Sequence, residues 1–181
     1  MARDSLESFV AAVRADWGPI STGLVARCRA HLDRLSAADA GEAWLAGLHE
    51  ERPATRELHR EPDHGFMLLA HSEQAGLYRP PHDHGRAWVV YAVQSGALEI
   101  GGYVKIADPD GRQKLVRRDT IVLRPGEARA YLPGDIHDTR CLTENAMVLR
   151  FTERDLRHED QSLGLVTRFA AHGDEWFAPL P

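Results

Sequence analysis

Apolar and polar positions follow two rhythms along this chain, and the change comes about a third of the way in. Leu6, Phe9, Val10, Val13 and Trp17 recur at three- and four-residue spacing, which places them on one face of a helix. Ser5 is positioned to cap its start, and Gly18-Pro19 to stop it. Leu24, Val25, Cys28, Leu32 and Leu35 repeat the period in a second helix. Ser36 is placed to cap a third, which carries Trp44, Leu45 and Leu48 to about Glu50; Pro53 then discourages continuation.

From about Arg56 the period shortens. The runs GFMLLAHS, AWVVYAVQ, GALEIGGYVKIA, KLVRRDTIVL, ARAYLP and NAMVLRFT alternate with turn signals. Asp110-Gly111 is a hairpin signal, and Gly96 and Pro125-Gly126 mark further turns. Pro133-Gly134 suits the central positions of a type II turn immediately before His137. So many short strands predict a mainly β fold, a closed barrel or jelly roll. SLGLVTRF is expected to be a last strand, and Trp176 and Phe177 in the tail to dock on the surface or on a partner subunit. The expected organisation is one domain, with residues 1–52 a helical segment packed on a barrel of residues 53–181 that ends in a C-terminal tail.

Composition removes some function classes. A chain of 181 residues, 43% hydrophobic and 27% charged, has the make-up of an ordinary globular domain. Its net charge of −5 argues against nucleic acid as a partner, and Lys114, Arg117 and Arg118 read as a solvated strand edge. No apolar run approaches the ~18 residues of a membrane span. Two cysteines, Cys28 and Cys141, make no disulfide framework; with no signal-like N-terminus, the expected compartment is the cytoplasm.

The candidate chemistry is a split histidine set. His82 and His84 stand in PPHDHG with one residue between them, so on an extended strand both rings point to one face and can reach one metal ion. His137 follows His84 by 53 residues, room for several strands to intervene. Imidazole suits Fe(II), Zn(II), Ni(II) and Cu(II). Three neutral imidazoles leave a divalent ion its full charge, which favours an anionic ligand in the remaining positions. Asp83 should alternate away from the metal. Tyr91, with Tyr78, Arg86, Trp88 and Tyr131, lies near these motifs, either lining a pocket or filling the barrel core. His71, on the strand before the motif, could reach the pocket but is expected to be a satisfied structural histidine, and His59, His64, His158 and His172 are expected to be exposed.

These motifs resemble the cupins. Gly76, the five residues LYRPP, His82-Asp83-His84 and Gly96 match the first cupin motif, and Gly126, Pro133-Gly134 and His137 match the second; the likeness spans about residues 76–141. Val89 stands where the first motif usually has a metal-binding Glu, and Cys141 where the second often has Asn. A three-histidine site without that Glu is similar to the thiol dioxygenases, the family of cysteine dioxygenase and 3-mercaptopropionate dioxygenase. The resemblance implies a double-stranded β-helix with N-terminal helices. It further implies an Fe(II) cofactor held by His82, His84 and His137, and O2 as co-substrate. It also implies a homodimer, which Trp176 and Phe177 could serve.

RELHREPDHGFMLLA is similar to the family segment that carries a carboxylate-binding arginine, a role that falls on Arg56, 26 residues before His82. The family's late Ser-His-Tyr relay falls on Val148, Arg150 and Thr152, none of them kept. Arg150 is then an alternative anchor if its face points into the barrel; alternation with Met147, Leu149 and Phe151 favours that face in solvent. The expected activity is therefore an Fe(II), O2-dependent dioxygenase acting on a small anionic substrate, with thiol carboxylates among the candidates. The alternatives are a Zn or Ni hydrolase or isomerase, and a non-catalytic metal-containing binder of a small ligand.

Overall fold

The structure, a computed structural model, describes residues 3–179. Three helices come first: α1 (Ser5–Asp16), α2 (Thr22–Ser36) and α3 (Ala43–Glu51). Nine strands follow: β1 (Arg56–Arg60), β2 (Met67–Gln74), β3 (Tyr78–His82), β4 (Val89–Ser95), β5 (Leu98–Ala107), β6 (Gln113–Leu123), β7 (Glu127–Tyr131), β8 (Ile136–Cys141) and β9 (Asn145–Thr152). A π-helical turn, His158–Ser162, leads to β10 (Ala170–His172) and β11 (Glu175–Phe177).

The strands form two antiparallel sheets, ordered β1-β2-β9-β4-β7 and β10-β11-β6-β5-β8-β3. From β3 to β9 the chain passes repeatedly between them, as in a jelly roll. Val89, Tyr91, Val93 and Val148 from the first sheet meet Leu98, Ile100, Leu123 and Cys141 from the second, and this forms the barrel core. The mainly β fold read from the strand pattern is therefore the one observed. Among the described residues, no helix is long and apolar enough to cross a membrane.

The five-stranded sheet is buried on both faces. Direct cross-strand partners share a face. Ala70, Leu149, Ala92 and Ala128 pair in a line across β2, β9, β4 and β7. All four belong to a second core, with Phe9, Val13, Leu24, Leu32, Leu45 and Leu48 of the helices. Phe151 and Trp88 lie in this layer, fully buried, with ring centroids 5.2 Å apart. The neighbouring line, Leu69, Arg150 and Tyr91, points the other way, into the barrel.

Helix boundaries differ from the sequence reading in two places. Asp4, not Ser5, caps α1, because its carboxylate accepts the Glu7 N–H at 2.8 Å. Ser5 instead donates its hydroxyl to Glu42 at 2.8 Å. Ser36 ends α2 rather than opening α3, and its hydroxyl donates back to the Asp33 carbonyl at 2.8 Å. SLGLVTRF forms no strand of its own: it runs as a strap whose end is tied to β3. Arg168 bridges to His82, and the Phe169 N–H donates to the Pro81 carbonyl. Phe177 is buried and Trp176 packs against Tyr103, Leu115, Ile136 and Phe169, with β11 paired to β6 of the same chain.

Candidate metal centre

β3 reads YRPPH, and two consecutive prolines fit only a strand that need not donate on both sides. It is the outermost strand of its sheet, paired with β8 alone. His82 is its last residue and stands opposite His137 of β8. His84 lies just beyond the strand, in extended chain before the Gly85-Arg86 turn. Asp83 between them points away, as alternation requires; its carboxylate accepts the Gly85 and Thr167 N–H groups at 3.0 and 2.9 Å, locking the histidine segment to the strap.

The three rings make a nearly regular triangle, with centroids 5.1, 4.8 and 5.0 Å apart. One ligand nitrogen from each lies within 4.8 Å of the others, a group able to hold a metal ion. The donor chemistry fits a divalent transition metal. The His82 Nδ1–H donates to the Pro80 carbonyl at 2.9 Å, which fixes the tautomer and leaves Nε2 free to ligate. His137 is fully buried, and neither ring nitrogen has a hydrogen-bond partner. An orphaned buried imidazole costs free energy unless something else satisfies it. Burial holds all three imidazoles below the ordinary histidine range, the last two well below it, so each offers a lone pair at neutral pH.

Tyrosines surround the triangle. The Tyr91 hydroxyl is 3.4 Å from His84 Nε2, and the Tyr131 ring lies 4.1 Å from that of His137. Burial pushes both phenols above their usual value, so they remain hydrogen-bond donors at neutral pH. Behind the centre, Asp138 accepts from the hydroxyls of Tyr78 and Tyr103 at 2.9 and 2.6 Å and pairs with Arg117 at 2.7 Å. Arg117, exposed as expected of this strand edge, thus closes the outer side of a network that braces β8. Trp88 belongs to the layer under the helices, and Arg86 pairs with Glu159 at 2.9 Å.

The two candidate anchors separate. Arg56 stands opposite Ala70 and so shares the helix-facing side of the sheet. It pairs with Glu51 at the end of α3, in an exposed position away from the triangle. Arg150 faces inward and lines one cavity with His82 and His84. Alternation suggested solvent for this face because Met147, Leu149 and Phe151 looked like the inward one. The helices reverse that inference, since they bury the apolar face from outside.

Sequence reasoning did not find Arg79, Arg157 and Arg168, which line the same cavity of about 550 Å³. No local motif marks them; they meet only because the strap crosses the mouth. His59 is half-buried against Glu61 at 3.1 Å rather than exposed. His71 is buried inside the barrel, with Nδ1 3.0 Å from the Thr55 hydroxyl and Nε2 without a partner, so it is not fully satisfied.

His71 carries a pH prediction. Burial, with Arg150 and Arg79 nearby, lowers its pKa from 6.5 to about 3. Between those values the unfolded chain binds a proton that the folded chain refuses. Stability is therefore full above pH ~6.5 and falls as pH drops toward 3, by up to about 1.4 kcal/mol per pH unit from this residue. Denaturant unfolding of the chelated protein at pH 6.5, 5.5 and 4.5 should show a pH slope shallower by one proton in His71→Gln. Equal slopes would mean that His71 titrates normally in the folded state.

No protein-family model matches the chain, and neither does any curated protein. Among solved structures it is similar to KdgF from Halomonas sp., with a TM-score of 0.43 and 19% identity over 54% of this chain and 74% of that one. It is also similar to a cupin-2 domain protein from Shewanella frigidimarina, with a TM-score of 0.41 and 16% identity over 54% and 76%. Oxalate oxidase in complex with the substrate analogue glycolate gives a TM-score of 0.36 and 28% identity over 48% and 41%. None of these likenesses reaches a TM-score of 0.5, and the chemistry of the centre rests on its own residues.

Proposed function

We propose that the chain is a non-haem Fe(II) oxygenase, and that His82, His84 and His137 hold the metal while Arg150 anchors the carboxylate of a small substrate beside it. The observation that supports this reading is the placement of Arg150. Its guanidinium lines the cavity with His82 and His84, and its Nε is buried with no partner. A planar fork of donors held there suits a carboxylate. Bound iron supplies electrons and open coordination positions to O2 and to an anionic substrate atom.

The chain's own residues do the rest. Arg150 fixes one end of the substrate, so that the other end lies against the histidines. The Tyr91 hydroxyl, 3.4 Å from His84, is placed to donate a hydrogen bond to a ligand of the centre. Val148 and Val89, fully buried on the same interior wall, exclude water from that side. Thiol carboxylates are the first class to test, since a thiolate and a carboxylate on one short chain satisfy the metal and Arg150 together.

The test is oxygen uptake by anaerobically Fe(II)-loaded protein with cysteine, 3-mercaptopropionate and cysteamine. Uptake with sulfinate formation is expected for the two acids and much less for cysteamine, which lacks the carboxylate. Arg150→Ala should raise KM for the acids by roughly 10- to 100-fold, the worth of a charge-assisted pair. An unchanged KM would remove Arg150 from substrate binding. Stoichiometric metal binding without uptake would favour the Zn or Ni hydrolytic reading.

A further inference from the structure

The histidine cavity does not end at Arg150. A second cavity of about 480 Å³ opens on the other side of this residue, toward His71, Thr152 and Thr55. The two share Arg79, Arg150, Leu156 and Arg157 in their walls, so they are arms of one cleft, and the strap borders the histidine arm. This space far exceeds what a two- or three-carbon acid fills.

Charge in the cleft is unevenly settled. Five guanidiniums line it: Arg60, Arg79, Arg150, Arg157 and Arg168. Arg60 pairs with Glu57 and Asp155, Arg79 with Glu73 and Arg168 with Asp160, which uses all four carboxylates. Among the described residues, Arg150 and Arg157 have no acidic partner. Both stand where the arms join, beside Arg79, which Glu73 already pairs. In a chain with net charge −5, acidic side chains are not scarce, so two unpaired guanidiniums facing one cavity are a local excess of positive charge. A divalent ion on three neutral imidazoles would add to that excess rather than offset it.

From this arrangement we infer that the substrate carries two anionic groups, and that Arg157 receives the second. The chemical class is a small dicarboxylate, one carboxylate held at Arg150 beside the histidines and the other at Arg157 on the cleft rim; the thiol acids of the oxygen-uptake assay would fill only the Arg150 end. Arg150 is the deeper, half-buried contact common to any acid that enters. Arg157 is exposed on the cleft rim, just before the π-helical turn, and acts on specificity, because only an acid with a second charge reaches it. The inference rests on reading the histidine triangle as the reaction centre, but its test does not require turnover.

The test is calorimetric binding of malonate, succinate, glutarate and adipate, each against the monocarboxylate of equal length. The full chain is used as purified and again after chelation. At least one dicarboxylate is expected to bind 10-fold or more tightly than its monocarboxylate partner in both states. Arg157→Gln should erase that advantage while leaving monocarboxylate affinity within about 2-fold, and Arg157→Glu should erase it while weakening both series. Arg150→Gln should weaken both series. Equal affinities for the two series, an advantage that survives in both Arg157 variants, or no binding of any acid would each overturn the inference. Failure of oxygen uptake with a preserved dicarboxylate preference would remove the oxygenase reading and leave this one standing.

Discussion

His137→Ala is expected to abolish metal binding, from about one ion per chain to none detectable by elemental analysis. Oxidation of any substrate should fall by more than the 10- to 100-fold typical of losing a group that merely supports a ligand. His137 is the deepest of the three histidines and comes from the opposite motif, so its removal leaves two ligands on one short segment. The loss should also appear in stability. Metal at 100 times its Kd stabilises a native site by about 2.7 kcal/mol. Wild type should gain that amount over the chelated protein, and the variant should gain nothing. An undiminished gain in the variant would place the metal elsewhere and break the reading of the centre. Tyr131, whose ring lies against His137, provides a contrast: Tyr131→Phe keeps the packing and should bind metal normally.

Phe151→Ala should cost about 3–5 kcal/mol, the usual price of deleting a fully buried phenyl ring. Its ring meets Phe66 at 5.7 Å, Trp88 at 5.2 Å, Phe9 of α1 at 6.1 Å and Trp17 at 6.3 Å. The residue joins the helices to the barrel, so the void would open between two layers that cannot close independently. Thermal unfolding should drop by roughly 6–20 °C for a chain of this length. A change below 1 kcal/mol would mean that the helices contribute little to holding the sheet. Metal affinity of the folded variant should be nearly unchanged, because Phe151 lies on the far face of β9 from the histidines.

The strands and the histidine triangle were legible in the sequence because both depend on short-range rules. Period-two runs, turn glycines and an HxH pair followed by a Pro-Gly turn and His137 determine local geometry without knowledge of distant contacts. Which of the two candidate arginines faces the histidines was not legible. Arg56 matched a familial spacing, yet the register of β1 on β2 turns it toward the helices. Arg150 stayed an alternative, with alternation leaning toward solvent, because alternation reveals that a strand has two faces but not which one is inside. When helices cover the outer face, both are buried, and the more apolar one is the outer. The strap failed for a related reason. Its short apolar run satisfies a strand pattern, but it lies across a mouth whose rim is assembled from β3 and the residues after β9, far apart in sequence. The cap at Asp4 turned on a one-residue shift, which periodicity does not resolve, whereas α3 starts six residues beyond where a Ser36 cap would put it, since Ser36 closes α2.

Exposed sheet edges invite other chains to add strands, and β3 is such an edge. Pro80 and Pro81 remove two N–H groups from it, while the strap occupies positions at its end through Asp83, His82 and Pro81. An incoming strand therefore finds neither a continuous row of donors nor free space beside the ligand-bearing segment. Intermolecular sheet growth, if forced by concentration or partial unfolding, must begin at β1, β7 or β10 instead. The edge that carries two of the three histidines is the one least able to seed aggregation.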